Sequence, residues 1–158
     1  MRFARTHLLL IGLILLLVVG GFELMSYRAV VKDTPAQGAQ LLSSGTMKFE
    51  IADTPSKQET GLSNRRSIPD DYGMLFVFPK ADRYGFWMKD MLVPIDIIWL
   101  SDSGDILLID HSVSPDTYPH VLYPPVVVRY VLETRAGYAQ SHAWDIGTHV
   151  AIPAPYGR

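Results

Sequence analysis

The chain has 158 residues, no cysteine and a formal net charge of −2. Without cysteine it can hold no disulfide, no thiolate metal site and no cysteine nucleophile. Residues 46–158 carry ten Lys or Arg against fourteen Asp or Glu, so this part lacks the excess of basic residues that is typical of a nucleic-acid-binding face. We therefore expect no nucleic-acid partner.

An export segment is predicted at the N-terminus. Arg2 and Arg5 precede residues 8–22, which are almost entirely apolar. As a helix this run spans about 22 Å, against a hydrocarbon core of about 30 Å, which suits a signal peptide and is short for a membrane span. Residues 1–25 are predicted to be a cleaved signal peptide or a retained anchor in the membrane. Because basic residues stay inside, the domain is expected in the periplasm or on the outer face of the cytoplasmic membrane, N-in and C-out.

Residues 26–45 show no sustained hydrophobic period and are predicted to be a linker. Residues 46–52 then alternate apolar and polar side chains, which is typical of a strand. Thr54 is a natural N-cap and Pro55 a natural first helical residue, so a short helix is expected to end near Gly61. Further strands are predicted at 73–78 (ended by Pro79), 84–91, 95–100, 106–109, 126–134 and 149–152, with a long loop at 112–125 and a short helix at 136–143.

These elements predict the fold class. Residues 95–100 and 106–109 flank a five-residue loop that contains Gly104, which indicates a hairpin. Six to seven short strands with one or two short helices predict a mainly β fold. We expect a compact single-domain sandwich or barrel over residues 46–158.

Four segments carry a resemblance to a known family. They are Gly61-Leu62 with Arg65; residues 73–78; Phe86-Trp87-Met88-Lys89 with residues 94–97; and residues 129–133 with Ala136-Gly137. In this order and spacing they resemble the uncharacterised bacterial and archaeal family called domain of unknown function 192, over residues 46–152. The resemblance implies one compact β-rich unit and leaves the activity open. The chain departs from the family pattern at Ser63, where Met is common, and at Asp90 and Met91, where Asn and Thr are common.

The Phe86-Trp87-Met88-Lys89 segment has two interpretations. In a strand, Trp87 and Lys89 share one face, while Phe86 and Met88 share the other. Trp87 could form the wall of a cleft in which Lys89 meets an anionic group. Alternatively, Phe86 and Met88 pack in the core, Trp87 covers an edge and Lys89 lies in water.

Asp96 and Glu133 are carboxylates inside apolar, strand-like runs, where an unpaired charge is costly. Arg65, Arg129 and Lys89 are the candidate partners, since an arginine fork can hold a carboxylate with two hydrogen bonds. The group is either a ligand site or a structural ion-pair network. We expect Arg65, Asp96 and Glu133 to lie close together, with the tryptophan or the lysine of the preceding segment at the same cleft.

No metal, cofactor or catalytic residue is assigned. The five histidines form no HxH, HxxxH or HExxH pattern, and neither a Gly-x-Ser-x-Gly motif nor a glycine-rich phosphate loop occurs. A scattered metal site of His111, His120 and Asp116 stays open as an alternative.

Three functions are compatible with the sequence. The first is an extracytoplasmic module that binds a small polar ligand, such as a sugar, a peptide or an anion, in a mixed aromatic and charged cleft. The second is a hydrolase or lyase with Asp96 and Glu133 as acid and base, which requires both to meet at one cleft. The third is an envelope interaction or accessory protein, which a flat exposed apolar patch would favour.

Overall fold

A computed structural model describes residues 41–44 and 47–157 of the chain. The predicted export segment and residues 26–40 of the predicted linker lie outside the described residues. In the described part, no helix has the length and apolar character needed to cross a bilayer. The strands are β1 (Leu41–Ser44), β2 (Met47–Ala52), β3 (Tyr72–Asp82), β4 (Phe86–Trp87), β5 (Ile95–Leu100), β6 (Ile106–Val113), β7 (Val121–Leu122) and β8 (Val128–Arg135). The helices are α1 (Pro55–Thr60), α2 (Tyr138–Ser141) and a 3-10 turn at Pro115–Thr117.

Six strands form one mixed sheet in the order β1-β2-β3-β8-β5-β6, while β4 and β7 form a separate antiparallel pair. Only β2 and β3 are parallel, so the chain must cross over between them, and α1 with the loop after it makes this crossover. The mainly β class is confirmed. The sheet ends at β1 and β6 and is not a closed barrel among the described strands. β4 packs on the sheet through Phe86, whose ring contacts the rings of Phe76 and Trp99.

Both faces of the sheet are covered by apolar side chains, because residues along each strand alternate between the faces. Face A belongs to the core cluster that also contains Phe86 and Leu62, and face B to the cluster that also contains Tyr138. Face A presents Met74, Phe76, Ile97, Trp99 and Val131, and face B presents Leu75, Ile98, Leu100, Tyr130 and Leu132.

Several predicted elements change in extent. Leu41–Ser44, inside the predicted linker, pair antiparallel with β2, so the sheet begins before residue 46. Pro79 was expected to end its strand, but β3 continues to Asp82. The β3–β8 ladder shifts register between Val77 and Asp82, where a residue without an N–H is tolerated.

Two predicted strands are shorter or missing. Only Phe86–Trp87 of the run 84–91 is a strand, since turns follow it. The prediction of a closing strand at 149–152 is wrong, because only one β-bridge, between Asp105 and His149, forms there. The predicted helix after Thr54 is confirmed, with the Thr54 hydroxyl accepting the Lys57 N–H as its cap.

Candidate functional site

Asp96 is fully buried and its carboxylate accepts three backbone N–H groups. Oδ1 accepts from Ser112 at 2.8 Å and from Gly137 at 3.1 Å, and Oδ2 accepts from Ala139 at 3.0 Å. The Asp96 carboxylate thus links a bulged part of β6 to the first turn of α2 through hydrogen bonds. The expected arginine partner is therefore wrong, because these donors satisfy the carboxylate without a cation.

Asp96 and Glu133 lie on opposite faces of the sheet. In the β5–β8 ladder, Asp96 is opposite Thr134 and Ile97 is opposite Glu133. Because neighbouring side chains along a strand point to opposite faces, Glu133 shares face A with Ile97 and Asp96 points to face B. The expectation that the two carboxylates meet at one cleft is wrong, and the acid–base pair of the enzyme alternative is lost with it.

Arg65 pairs with Glu50, which the sequence analysis did not single out. Its Nη2 lies 2.9 Å from Glu50 Oε2, and its Nη1 donates to the Tyr72 hydroxyl at 2.6 Å. The Tyr72 hydroxyl donates a short hydrogen bond to the same carboxylate. Burial, followed by this hydrogen bond to Glu50, raises the pKa of Tyr72. The three side chains form a closed cluster in which Arg65 is already paired.

A cavity of about 340 Å³ lies on face A, beneath α1 and the segment 61–63 on one side and Phe86-Trp87 on the other. Two aromatic contacts shape it, a stacked pair of Phe78 and Tyr84 at 3.6 Å and an edge-to-face contact of Phe76 and Phe86 at 4.8 Å. It is lined by Pro55, Gln58, Glu59, Thr60, Gly61, Leu62, Ser63, Phe76, Phe78, Tyr84, Gly85, Phe86, Trp87, Met91 and Glu133.

Glu133 presents a buried carboxyl group to this cavity. The residue is 5% exposed, and burial raises its pKa to about 8, although the Leu62 N–H and the Arg65 charge act in the opposite direction. Its Oε2 atom has no hydrogen-bond partner among the described atoms. A Cβ atom on Gly61 would lie 3.5 Å from Oε2, so any side chain at position 61 would pack against this oxygen.

The profile of domain of unknown function 192, described as Uncharacterized ACR, matches residues 39–152. The chain belongs to this family. No curated protein matches the chain.

Two crystal structures resemble the domain. One, of a candidate transcription regulator from Sinorhizobium meliloti 1021, is 32% identical with a TM-score of 0.62, covering 64% of this chain and 78% of that one. The other, of a protein of unknown function from Novosphingobium aromaticivorans DSM 12444, is 25% identical with a TM-score of 0.69, covering 75% of this chain and 90% of that one. Both share the fold of this chain over the parts that they cover.

Two of the three departures from the pattern of domain of unknown function 192 occur at the cavity. Ser63 and Met91 both line it. Asp90, the third, has a left-handed backbone with φ of 57°, a conformation that Asp and Asn adopt more readily than most residues. The third departure is therefore compatible with the backbone.

The remaining basic candidates do not line the cavity. Lys89 is exposed, and its carbonyl accepts the Ser63 hydroxyl at 2.9 Å. The Arg129 guanidinium donates a short hydrogen bond to the Pro79 carbonyl and lies 5.9 Å from the centre of the Tyr130 ring. Of the six candidates, the structure brings Trp87 and Glu133 together, with the Arg65 charge acting on Glu133 from beside the cavity.

Two further polar groups among the described residues form neither a metal site nor a catalytic triad. Among residues 47–157, no three His, Asp or Glu side chains lie close enough to share a metal ion, so His111, His120 and Asp116 do not assemble a site. Ser103 donates to Asp105 at 2.6 Å, and His149 contacts the other oxygen of Asp105 at 2.9 Å. Because Asp105 lies between them, this histidine is not placed to take a proton from the serine as in a catalytic triad.

Proposed function

We propose that the domain is a binding module that holds a small ligand in the cavity between α1 and Trp87. The observation that carries the proposal is the Glu133 Oε2 atom, which is buried, unpartnered and adjacent to the cavity. A buried polar group without a partner costs about 1–3 kcal/mol. A ligand that hydrogen-bonds this oxygen would recover that free energy on binding.

The composition and size of the cavity support the proposal. Its volume of about 340 Å³ falls at the small end of ligand pockets, which span about 300–1,000 Å³ and combine apolar walls with a few polar groups. Trp87 is 44% exposed at this cavity, so its ring offers a surface on which an entering ligand can stack.

The name of the Sinorhizobium relative raises a nucleic-acid role, which the charge of this chain does not favour. Residues 46–158 carry fourteen acidic against ten basic residues. A binding face for phosphates needs clustered Lys and Arg, whereas Arg65 and Arg129 are already engaged by protein groups. We keep the small ligand as the proposed partner.

The proposed location is the periplasm or the outer face of the cytoplasmic membrane. Arg2 and Arg5 before the apolar run support it, because basic flanks remain on the cytoplasmic side. Alkaline phosphatase fused after Arg158 is expected to be active in cells, since this enzyme needs an oxidising compartment. A matched fusion that lacks residues 1–25 is expected to be inactive. Equal activity of both fusions, or activity of a cytoplasm-only reporter at Arg158, would contradict the location.

The binding function is tested by a thermal-shift screen of small polar and amphiphilic molecules on the full-length protein. A ligand that prefers the native state raises the melting temperature, and we expect at least one such compound. Thr60→Trp, which adds a large side chain at the cavity lining, is expected to abolish the shift. Ser56→Trp is the matched control, since Ser56 is on α1 but does not line the cavity.

Two results would reject the proposal. One is a screen without any stabilising compound. The other is a compound whose shift is equally large in Thr60→Trp and in the wild type, because it would then bind elsewhere on the protein.

A second candidate, a protein-interaction module, is favoured by one exposed segment. Tyr118, Tyr123, Val126 and Val127 are 46–57% exposed, and they lie around β7 and the loop that leads to β8. Apolar side chains grouped in this way are typical of contact surfaces. This surface does not explain the unpartnered oxygen of Glu133, so the ligand-binding function is preferred.

A further inference from the structure

The cavity has a distinctive balance of charge. Two carboxyl groups, those of Glu59 and Glu133, line it, and none of the described lining residues is Lys, Arg or His. Five aromatic residues share the lining, namely Phe76, Phe78, Tyr84, Phe86 and Trp87. The faces of aromatic rings carry negative electrostatic potential and attract cations. The aromatic walls and the carboxyl groups of the cavity therefore both favour a cationic ligand.

Arg65 does not supply the missing positive charge. Its guanidinium is held by Glu50 at 2.9 Å and by the Tyr72 hydroxyl at 2.6 Å. Glu50 and Glu133 occupy one row across face A, with Met74 between them. Arg65 is thus paired with Glu50, next to Glu133 in the sheet. The Oε2 atom of Glu133 is left without a donor.

We propose that the ligand is an organic ammonium ion, a primary or secondary amine on an apolar or aromatic body. This inference rests on the proposed function and specifies the ligand class of the same cavity. An N–H of the ammonium would donate to Glu133 Oε2, forming the charge-assisted hydrogen bond that the fold leaves unmade. The body would lie among the aromatic rings. The anion considered from the sequence is disfavoured, because Lys89 and Arg129 do not line the cavity.

The class of ligand predicts how affinity changes with pH. In the empty site, burial raises the pKa of Glu133 to about 8, so the carboxyl is mostly protonated at neutral pH. An ammonium ion favours the ionised carboxylate, so one proton must leave as the ligand binds. Affinity is then expected to rise as pH rises towards 8 and to level off above it.

The charges that face Glu133 from the neighbouring elements do not change the direction in which amine affinity depends on pH. The crossover loop brings Arg65, already paired with Glu50 of β2, and α1 brings Glu59 at the cavity lining. The strands on either side, β3 and β5, present only the apolar Met74 and Ile97 opposite Glu133.

The experiment is isothermal titration calorimetry of full-length protein with a panel of alkylamines and arylalkylamines, phenethylamine among them. Each amine is compared with its alcohol isostere, which keeps the body and loses the charge. We expect amines to bind at least about tenfold more tightly than the alcohols, with affinity rising close to tenfold between about pH 6 and pH 7. Buffers of different ionisation enthalpy should report the release of about one proton per amine bound.

Two variants locate the effect. Glu133→Gln is expected to lose at least about tenfold in amine affinity and to abolish the pH dependence, because the amide can neither ionise nor release a proton. Asp116→Asn removes an exposed carboxyl outside the cavity and is expected to bind as the wild type does.

The outcomes separate this inference from the proposed function. Alcohols that bind as well as amines, or amine affinity that is flat or falls with rising pH, would overturn the ammonium inference and leave a small-ligand module standing. Amines that fail to bind would overturn the inference as well. The proposed function itself falls only if the broader screen finds no stabilising compound, or if the shift of the compound it finds is equally large in Thr60→Trp.

Discussion

Asp96→Ala is expected to lower the free energy of unfolding by about 3–5 kcal/mol, since three backbone N–H groups lose the carboxylate that accepts their hydrogen bonds. The side chain is fully buried and accepts the N–H groups of Ser112, Gly137 and Ala139. Urea unfolding, followed by circular dichroism, measures the change.

The control for this variant is Asp116→Ala, which removes an exposed carboxylate and is expected to change stability by less than about 0.5 kcal/mol. If Asp96→Ala were as stable as this control, the carboxylate would have no structural role. Amine affinity gives a second criterion. It should be retained at temperatures where Asp96→Ala is still folded, because Asp96 is on face B and the cavity is on face A.

Glu133→Gln is expected to stabilise the empty protein by about 3–5 kcal/mol at pH 9. The pKa of Glu133 rises from an ordinary 4.5 to about 8 in the native state because of burial. Between these two pH values the native state keeps a proton that the unfolded chain has lost. The contribution of Glu133 to wild-type stability is therefore fully present below about pH 4.5, falls as pH rises and is lost above pH 8.

The amide of the variant stays neutral, so its stability should not show this loss. The difference between variant and wild type should be close to zero near pH 4 and grow with pH, as urea unfolding at matched pH values would show. A variant less stable than wild type at pH 9 would mean that the Glu133 carboxylate is paired in the native state. A stabilising variant that binds no amine would indicate a residue kept for binding at the expense of stability.

Much of the fold could be predicted from local patterns. The alternation in residues 46–52, the cap at Thr54 and the runs around Gly104 predicted β2, α1 and the β5–β6 hairpin, and all three are present. The absence of a strand at 149–152 was not predictable in the same way. Its residues pass the edge of the sheet and pair only at His149, which depends on tertiary position and not on the local pattern.

The site could be predicted only in part, because strand periodicity gives a face and not a partner. Glu133 was singled out as a carboxyl in an apolar strand, and the structure places it at the cavity with Trp87. Asp96 gave the same local signal, yet its donors come from Ser112 and from α2, far along the chain. The register of β5 against β8 would have placed Asp96 and Glu133 on opposite faces of the sheet, since they belong to neighbouring pairs of this ladder.

Glu50 was missed for a related reason. It alternates with apolar residues in β2, which is typical of a strand with one side in water, but it is only 9% exposed. Both faces of this sheet are covered, so a polar residue in β2 needed a partner. Arg65 in the crossover loop provides it, and nothing in the local sequence of either residue indicates the pairing.

The most direct test of the account is the titration of the Glu133 carboxyl carbon by carbon-13 NMR in the empty protein, assigned by the loss of its signal in Glu133→Gln. We expect a midpoint near pH 8, and a lower midpoint when a saturating amine is present, because the ammonium favours the carboxylate. A midpoint near the ordinary 4.5 would show a solvated or paired carboxyl and would contradict the buried, unpartnered group on which the binding site depends.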